Sequence, residues 1–134
     1  MWIIQHLPYP SGMLARPFQL ALNASIQCAA ELMRQSPLPP LYTTQIRFAP
    51  EPWEGSGVEE FADPWTVYAR GWGDCDDLVI YRAAELVAAG FPAHARILRD
   101  VATNRYHSQV ARDFDNRWED PSLQRLGRPW LFSP

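Results

Sequence analysis

The chain has 134 residues, 47% of them apolar, with a formal net charge of −3 and a pI of about 5.5. That length supports one domain with its own core, spanning 1–134, and is too short for two. Its 12 Lys and Arg residues are scattered among 15 acidic ones, which argues against nucleic acid as a partner, and no run of about 18 apolar residues offers a membrane span.

The first residues, Met1-Trp2-Ile3-Ile4-Gln5-His6-Leu7-Pro8, have neither the positive lead nor the apolar run of a secretory signal, so the chain is expected to be cytoplasmic at synthesis. Ten of its 13 prolines fall at 7–17, 36–53 and 129–134, stretches expected to be extended arms or partner-facing segments. Between the first two, Phe18, Leu22, Ile26, Ala29 and Met33 recur at helical spacing, predicting a helix from Pro17 to about Gln35. Cys28 falls inside it, where a buried thiol acting as a small hydrophobe is expected. Residues 38–52 read as extended loop around the short alternation Tyr42 to Phe48. Residues 1–57 are thus a helix plus a proline-rich arm.

Asp63-Pro64 has the form of an N-cap with proline at the first helical position, opening a short helix that Gly71 ends. A second helix follows from Asp74 to Ala89: Asp74 caps it, Asp77 completes a capping box, and Gly90-Phe91-Pro92 stops it. Cys75, at its start, shares a face with Leu78, Val79, Ala83 and Leu86; Arg82 lands there too and needs a carboxylate. After Pro92 the period changes to two, predicting antiparallel strands at 93–98, 105–112 and 117–120. The fold class is therefore α+β, helices packed on one side of a small antiparallel sheet.

Two cysteines 47 positions apart, with no Cys/His cluster, imply neither a disulfide framework nor a metal site; Asp76 and Asp77 read as first-turn carboxylates facing the helix dipole. No cofactor is expected. Cys75 at a helix start, His107 on the second strand and Asp120 at the end of the third are the raw material of nucleophile, base and orienter. An even-numbered turn near Asp113 to Asn116 puts His107 and Asp120 on one sheet face, opposite or one step diagonal. The Cys75 N–H is the natural oxyanion donor, with Trp72 the candidate for a second. Against activation, Asp74, Asp76 and Asp77 surround the thiol and oppose its ionisation. His94 and His6 carry no comparable signal.

The order Gly73-Asp74-Cys75-Asp76-Asp77, Gly90-Phe91-Pro92-Ala93, Arg96, Tyr106-His107 and Trp118-Glu119-Asp120-Pro121-Ser122 resembles the core of the transglutaminase-like superfamily over residues 58–123. It departs in having Ser108 after the histidine, where many members have Trp. The resemblance implies a papain-like helix-plus-sheet scaffold and carries the Cys, His and Asp roles onto Cys75, His107 and Asp120. Residues 124–134 are left as a C-terminal tail. The implied activity is a cysteine-dependent amide hydrolase or acyltransferase working through a thioester on peptide or peptidoglycan-stem amides. Small members with a Gly-Asp-Cys-Asp-Asp run resemble phage-encoded proteins, which gives the alternative: a tail or baseplate component of a virion, docking tail proteins through its proline-rich N- and C-terminal segments. A third class, a cell-wall endopeptidase of the NlpC type, shares the Cys-then-His order and would place another polar group where Asp120 stands.

Overall fold

The computed structural model describes residues 4–8, 15–50, 58–100 and 105–134. Trp2, Trp53, residues 9–14 of the proline-rich 7–17 stretch and the turn at 101–104 fall outside them. Helix α1 (Ala15–Gln35) starts two residues before Pro17, which sits in the first turn where its missing N–H costs nothing. Phe18, Leu22, Ile26, Ala29 and Met33 are all buried along one stripe. Cys28 corrects the sequence expectation: it is exposed. It lies about 100° around the helix from Ala29, off the apolar stripe, so spacing rather than residue type decides its burial.

Helix α2 (Pro64–Arg70) is capped by the Asp63 side chain, which accepts from the Thr66 N–H at 2.8 Å, and it ends at Gly71, whose φ of 82° suits glycine. Helix α3 (Cys75–Ala88) carries a reciprocal capping box: Asp74 accepts from the Asp77 N–H at 3.0 Å and Asp77 accepts from the Asp74 N–H at 3.1 Å. Leu78, Val79, Ile80, Tyr81, Ala83 and Ala84 are buried nearly all the way round it. A helix apolar on every side belongs in the middle, and α3 packs against α1, α2 and the main sheet. Each fully buried Leu or Ile here, such as Leu22, Ile26 and Leu78, contributes about 1.5–3 kcal/mol of transfer free energy.

The main sheet is antiparallel, in the order β5 (Ala93–Asp100), β6 (Arg105–Arg112), β7 (Arg117–Glu119) and β8 (Leu131–Phe132). Ala93, Ala95 and Val110 are buried against the helices, and the small alanines let α3 approach closely. Side chains of α1 occupy the outer edge of β5: the Ala95 N–H donates to Asn23 Oδ1 at 2.8 Å, and Gln19 Nε2 donates to the Ala95 carbonyl at 3.2 Å. Buried Glu119 clamps β7 to the helices, accepting from Arg82 Nε at 2.9 Å and the Tyr42 hydroxyl at 2.7 Å. That carboxylate is the partner Arg82 requires on the helix face.

The structure adds pieces the periodicity did not signal. Residues 38–48 hold a 3-10 turn (Leu41–Thr43) and β2 (Arg47–Phe48), which pairs in parallel with β4 (Trp72–Gly73) rather than running as plain loop. β1 (Ile4–Pro8) pairs antiparallel with β3 (Val58–Ala62), tying the N-terminal segment to the start of the core. The C-terminal segment is no free arm: after α4 (Pro121–Arg125), β8 joins the sheet and the Trp130 ring packs 5.0 Å from that of Tyr42. Trp130 is thus an internal contact. Among the described residues, no helix is long and apolar enough to cross a membrane.

Candidate active site

Three elements meet at the start of α3. The Asp74–Asp77 capping box satisfies the N–H groups of Asp74 and Asp77 and leaves the Cys75 N–H, on the first helical residue, unspent by the cap. Gly73 is required just before it because a Cβ there would meet the Asp77 Cβ at 2.9 Å. Asp77 itself is fully buried, held by Arg70 Nη2 at 2.8 Å and by the Ala62 N–H at 2.8 Å. Burial pushes its carboxyl up to about 6 despite those donors.

On the sheet, a four-residue turn joins Arg112 to Arg117, so the connection is even-numbered. Val110 faces Glu119 across the ladder, which sets Asp120 opposite Gln109 and one diagonal step from His107. His107 Nε2 and Asp120 Oδ2 lie 2.6 Å apart, and Gln109 Nε2 donates to the same carboxylate oxygen at 3.2 Å. Asp120 also caps α4, accepting from the Leu123 N–H at 3.1 Å. The hydrogen bond to Asp120 raises the His107 pKa, with burial opposing and the Asp76 charge assisting. Burial pushes Asp120 up, but His107, the Leu123 N–H and Gln109 outweigh it and bring the carboxyl below its ordinary range. The imidazole keeps Nδ1 free of any hydrogen bond among the described residues.

Cys75, at the start of α3, stands against Ser108, one residue along β6 from His107. Its sulfur meets the N–H and hydroxyl of Ser108, both of which favour a thiolate, and lies 3.8 Å from Asp76 Oδ1. Burial first, then Asp76 and Asp74, push the thiol well above its ordinary pKa, so the resting group is a neutral S–H. Among the described residues no hydrogen bond joins Sγ to His107: Ser108 points to the helix side of the strand and His107 to the other. The structure therefore brings His107 and Asp120 into contact and sets Cys75 beside β6, the strand that carries His107. Beside the site, the Arg70 guanidinium covers the Trp72 ring at 3.7 Å and Arg70 Nε donates to the Trp72 carbonyl at 2.9 Å.

Three groups in the site make contacts that the sequence reading did not indicate. Asp76 does not face solvent at the helix start but is buried, accepting from the Ser108 hydroxyl at 2.7 Å. Ser108 is the other half of that contact. Gln109 was findable, since the two-residue period places it on the His107 face. Among the described residues, no cluster of His, Cys, Asp and Glu is disposed to hold a metal ion. No family model, curated protein or solved structure matches the chain.

Proposed function

We propose that the chain is a thiol-dependent amide hydrolase or acyltransferase with a transglutaminase-like, papain-like core. One observation carries this reading: the 2.6 Å contact between His107 Nε2 and Asp120, which leaves Nδ1 available on the strand that also touches the Cys75 sulfur. In this reading Asp120 fixes the tautomer and favours the imidazolium. On substrate binding the thiol and the ring, which rest on opposite sides of β6, are brought together, the Cys75 proton passes to His107 Nδ1, and the sulfur attacks the amide carbonyl carbon to form a C–S bond. The oxygen takes the negative charge beside the Cys75 N–H. Collapse breaks the C–N bond as His107 returns the proton to the departing amine. Water or a second amine, deprotonated by the same ring, then cleaves the thioester and restores the thiol. Peptide amides, including those of peptidoglycan stems, are the substrate class.

The test is acylation by p-nitrophenyl acetate followed by mass spectrometry. Acetyl should accumulate on Cys75 in preference to the exposed Cys28 as nitrophenolate is released, and His107→Ala should slow it by about 100-fold or more. Equal acetylation of both cysteines, or full acetylation of Cys75 without the imidazole, would overturn the assignment. A second reading is favoured by the neutral, Asp76-bonded thiol: a structural component of a phage tail or baseplate that keeps the geometry without turnover. Cysteines that acetylate alike and slowly would favour it.

A further inference from the structure

Beyond the three reacting groups, the face of the sheet that bears His107 carries an arginine with nothing to bind. Arg96 faces Gln109 directly across the β5–β6 ladder, and His107 faces Leu98, so Arg96 is one diagonal step from His107, roughly 7–8 Å between Cα atoms. Gln109 thus has Asp120 on one side and Arg96 on the other. The guanidinium lies 4.0 Å from the centroid of the Trp118 ring, a stack that fixes its plane and leaves its N–H edge free.

Other half-buried arginines are committed. Arg70 holds Asp77, Arg82 holds Glu119 and Glu85, Arg112 holds Asp115 and Glu119, and Arg125 donates to the carbonyls of Leu41 and Thr44. Arg96 alone among the half-buried arginines described has no carboxylate or carbonyl partner. It borders a cleft of about 200 Å³ whose rim also holds Arg117, Arg112 and His94. Asp113 is the one carboxylate on that rim, and His94 occupies it at 2.9 Å. A planar, stacked, unpaired guanidinium beside a positively charged cleft is built to take a carboxylate.

We propose that Arg96 and Trp118 form a carboxylate-binding subsite, so that the preferred acyl substrate carries an acidic side chain one residue from the reacting carbonyl. The proposal rests on the thiol reading above and names the substrate class of that site. The subsite lies on the His107 face of β6, one diagonal step from the ring that takes the thiol proton, which places the acidic side chain next to the reacting carbonyl.

The experiment compares the alkylation of Cys75 by acetyl-Glu-Ala chloromethyl ketone with that by acetyl-Gln-Ala chloromethyl ketone, probes differing in one charge. The Glu probe should react about tenfold faster at low salt, and the ratio should shrink as salt is added. Arg96→Gln should bring the ratio below about twofold, whereas Arg128→Gln, which removes an exposed charge elsewhere, should leave it intact. Equal rates for the two probes would overturn the subsite while leaving the thiol reading standing. If neither probe modifies Cys75, the thiol reading falls and the subsite is decided separately. A shift of the Trp118 indole NMR signal on adding acetyl-Glu-Ala amide, and none with the Gln peptide, would then uphold it; no shift with either would overturn it.

Discussion

Asp76 is the residue that most restrains the site. It is buried, takes no arginine or lysine partner among the described residues, and accepts from the Ser108 hydroxyl while the Cys75 thiol lies 3.8 Å from the same oxygen. A charge in that position disfavours a thiolate and favours the imidazolium of His107, so it separates the two protonation states that attack requires. Asp76→Asn keeps an acceptor for Ser108 and removes the charge. The variant should react with iodoacetamide at Cys75 roughly three- to tenfold faster near neutral pH, since one pKa unit is tenfold in thiolate. Measured rates that fall instead would make Asp76 the group that draws the thiol proton. The sequence placed Asp76 beside the thiol, and it could not tell which way the carboxylate turns. Helical periodicity gives an angle around an axis, whereas the inward turn depends on Ser108, a partner 32 residues later.

At the scale of elements, the start of α3 is set by a close approach rather than by an unusual backbone angle. A methyl group on Gly73 would fall 2.9 Å from the Asp77 Cβ and 3.3 Å from Leu78 Cδ2, atoms anchored on the helix itself. Gly73→Ala should therefore displace the first turn, with an overpacking cost of about 1–3 kcal/mol in urea denaturation. It should also slow acetylation of Cys75 at least as visibly as it lowers stability. Unchanged stability and unchanged acetylation would mean that α3 is not held by this contact. The elements legible in the sequence share a reason: α1, α2, α3 and the strands β5 to β7 carry their own period and their own caps, as Asp63, Asp74, Gly71 and Gly90 illustrate. The elements that were not legible are two-residue strands or depend on distant partners. β2 is defined by pairing with β4, β8 by pairing with β7, and a run of two residues has no period to detect. The diagonal from His107 to Asp120 was accessible because it needs only an even turn, while the distance from sulfur to imidazole depends on how α3 docks.

For the whole molecule, the site joins the beginning of α3 to two strands, so its ionisation is linked to folding. The His107 pKa is raised by the Asp120 hydrogen bond, with the Asp76 charge also facing the ring and Gln109 beside the same carboxylate. A histidine raised in the folded state contributes stability that is fully present below its unfolded value of about 6.5 and is lost as pH rises through the folded value. Asp120, lowered by the same contact, contributes stability above about 3.9 that disappears as pH falls through its folded value. The pair is therefore most stabilising in weakly acidic solution. Comparing wild type with His107→Gln cancels the titration of every other group, Asp77 included, to first order. The stability difference should be larger at about pH 5.5 than at about pH 9, by less than about 1 kcal/mol because the ring is partly exposed and solvent screens the charge. Urea midpoints at the two pH values read this directly. A difference that stays flat, or grows toward alkaline pH, would mean that Asp120 holds a neutral ring and that the imidazolium is not favoured in the folded protein.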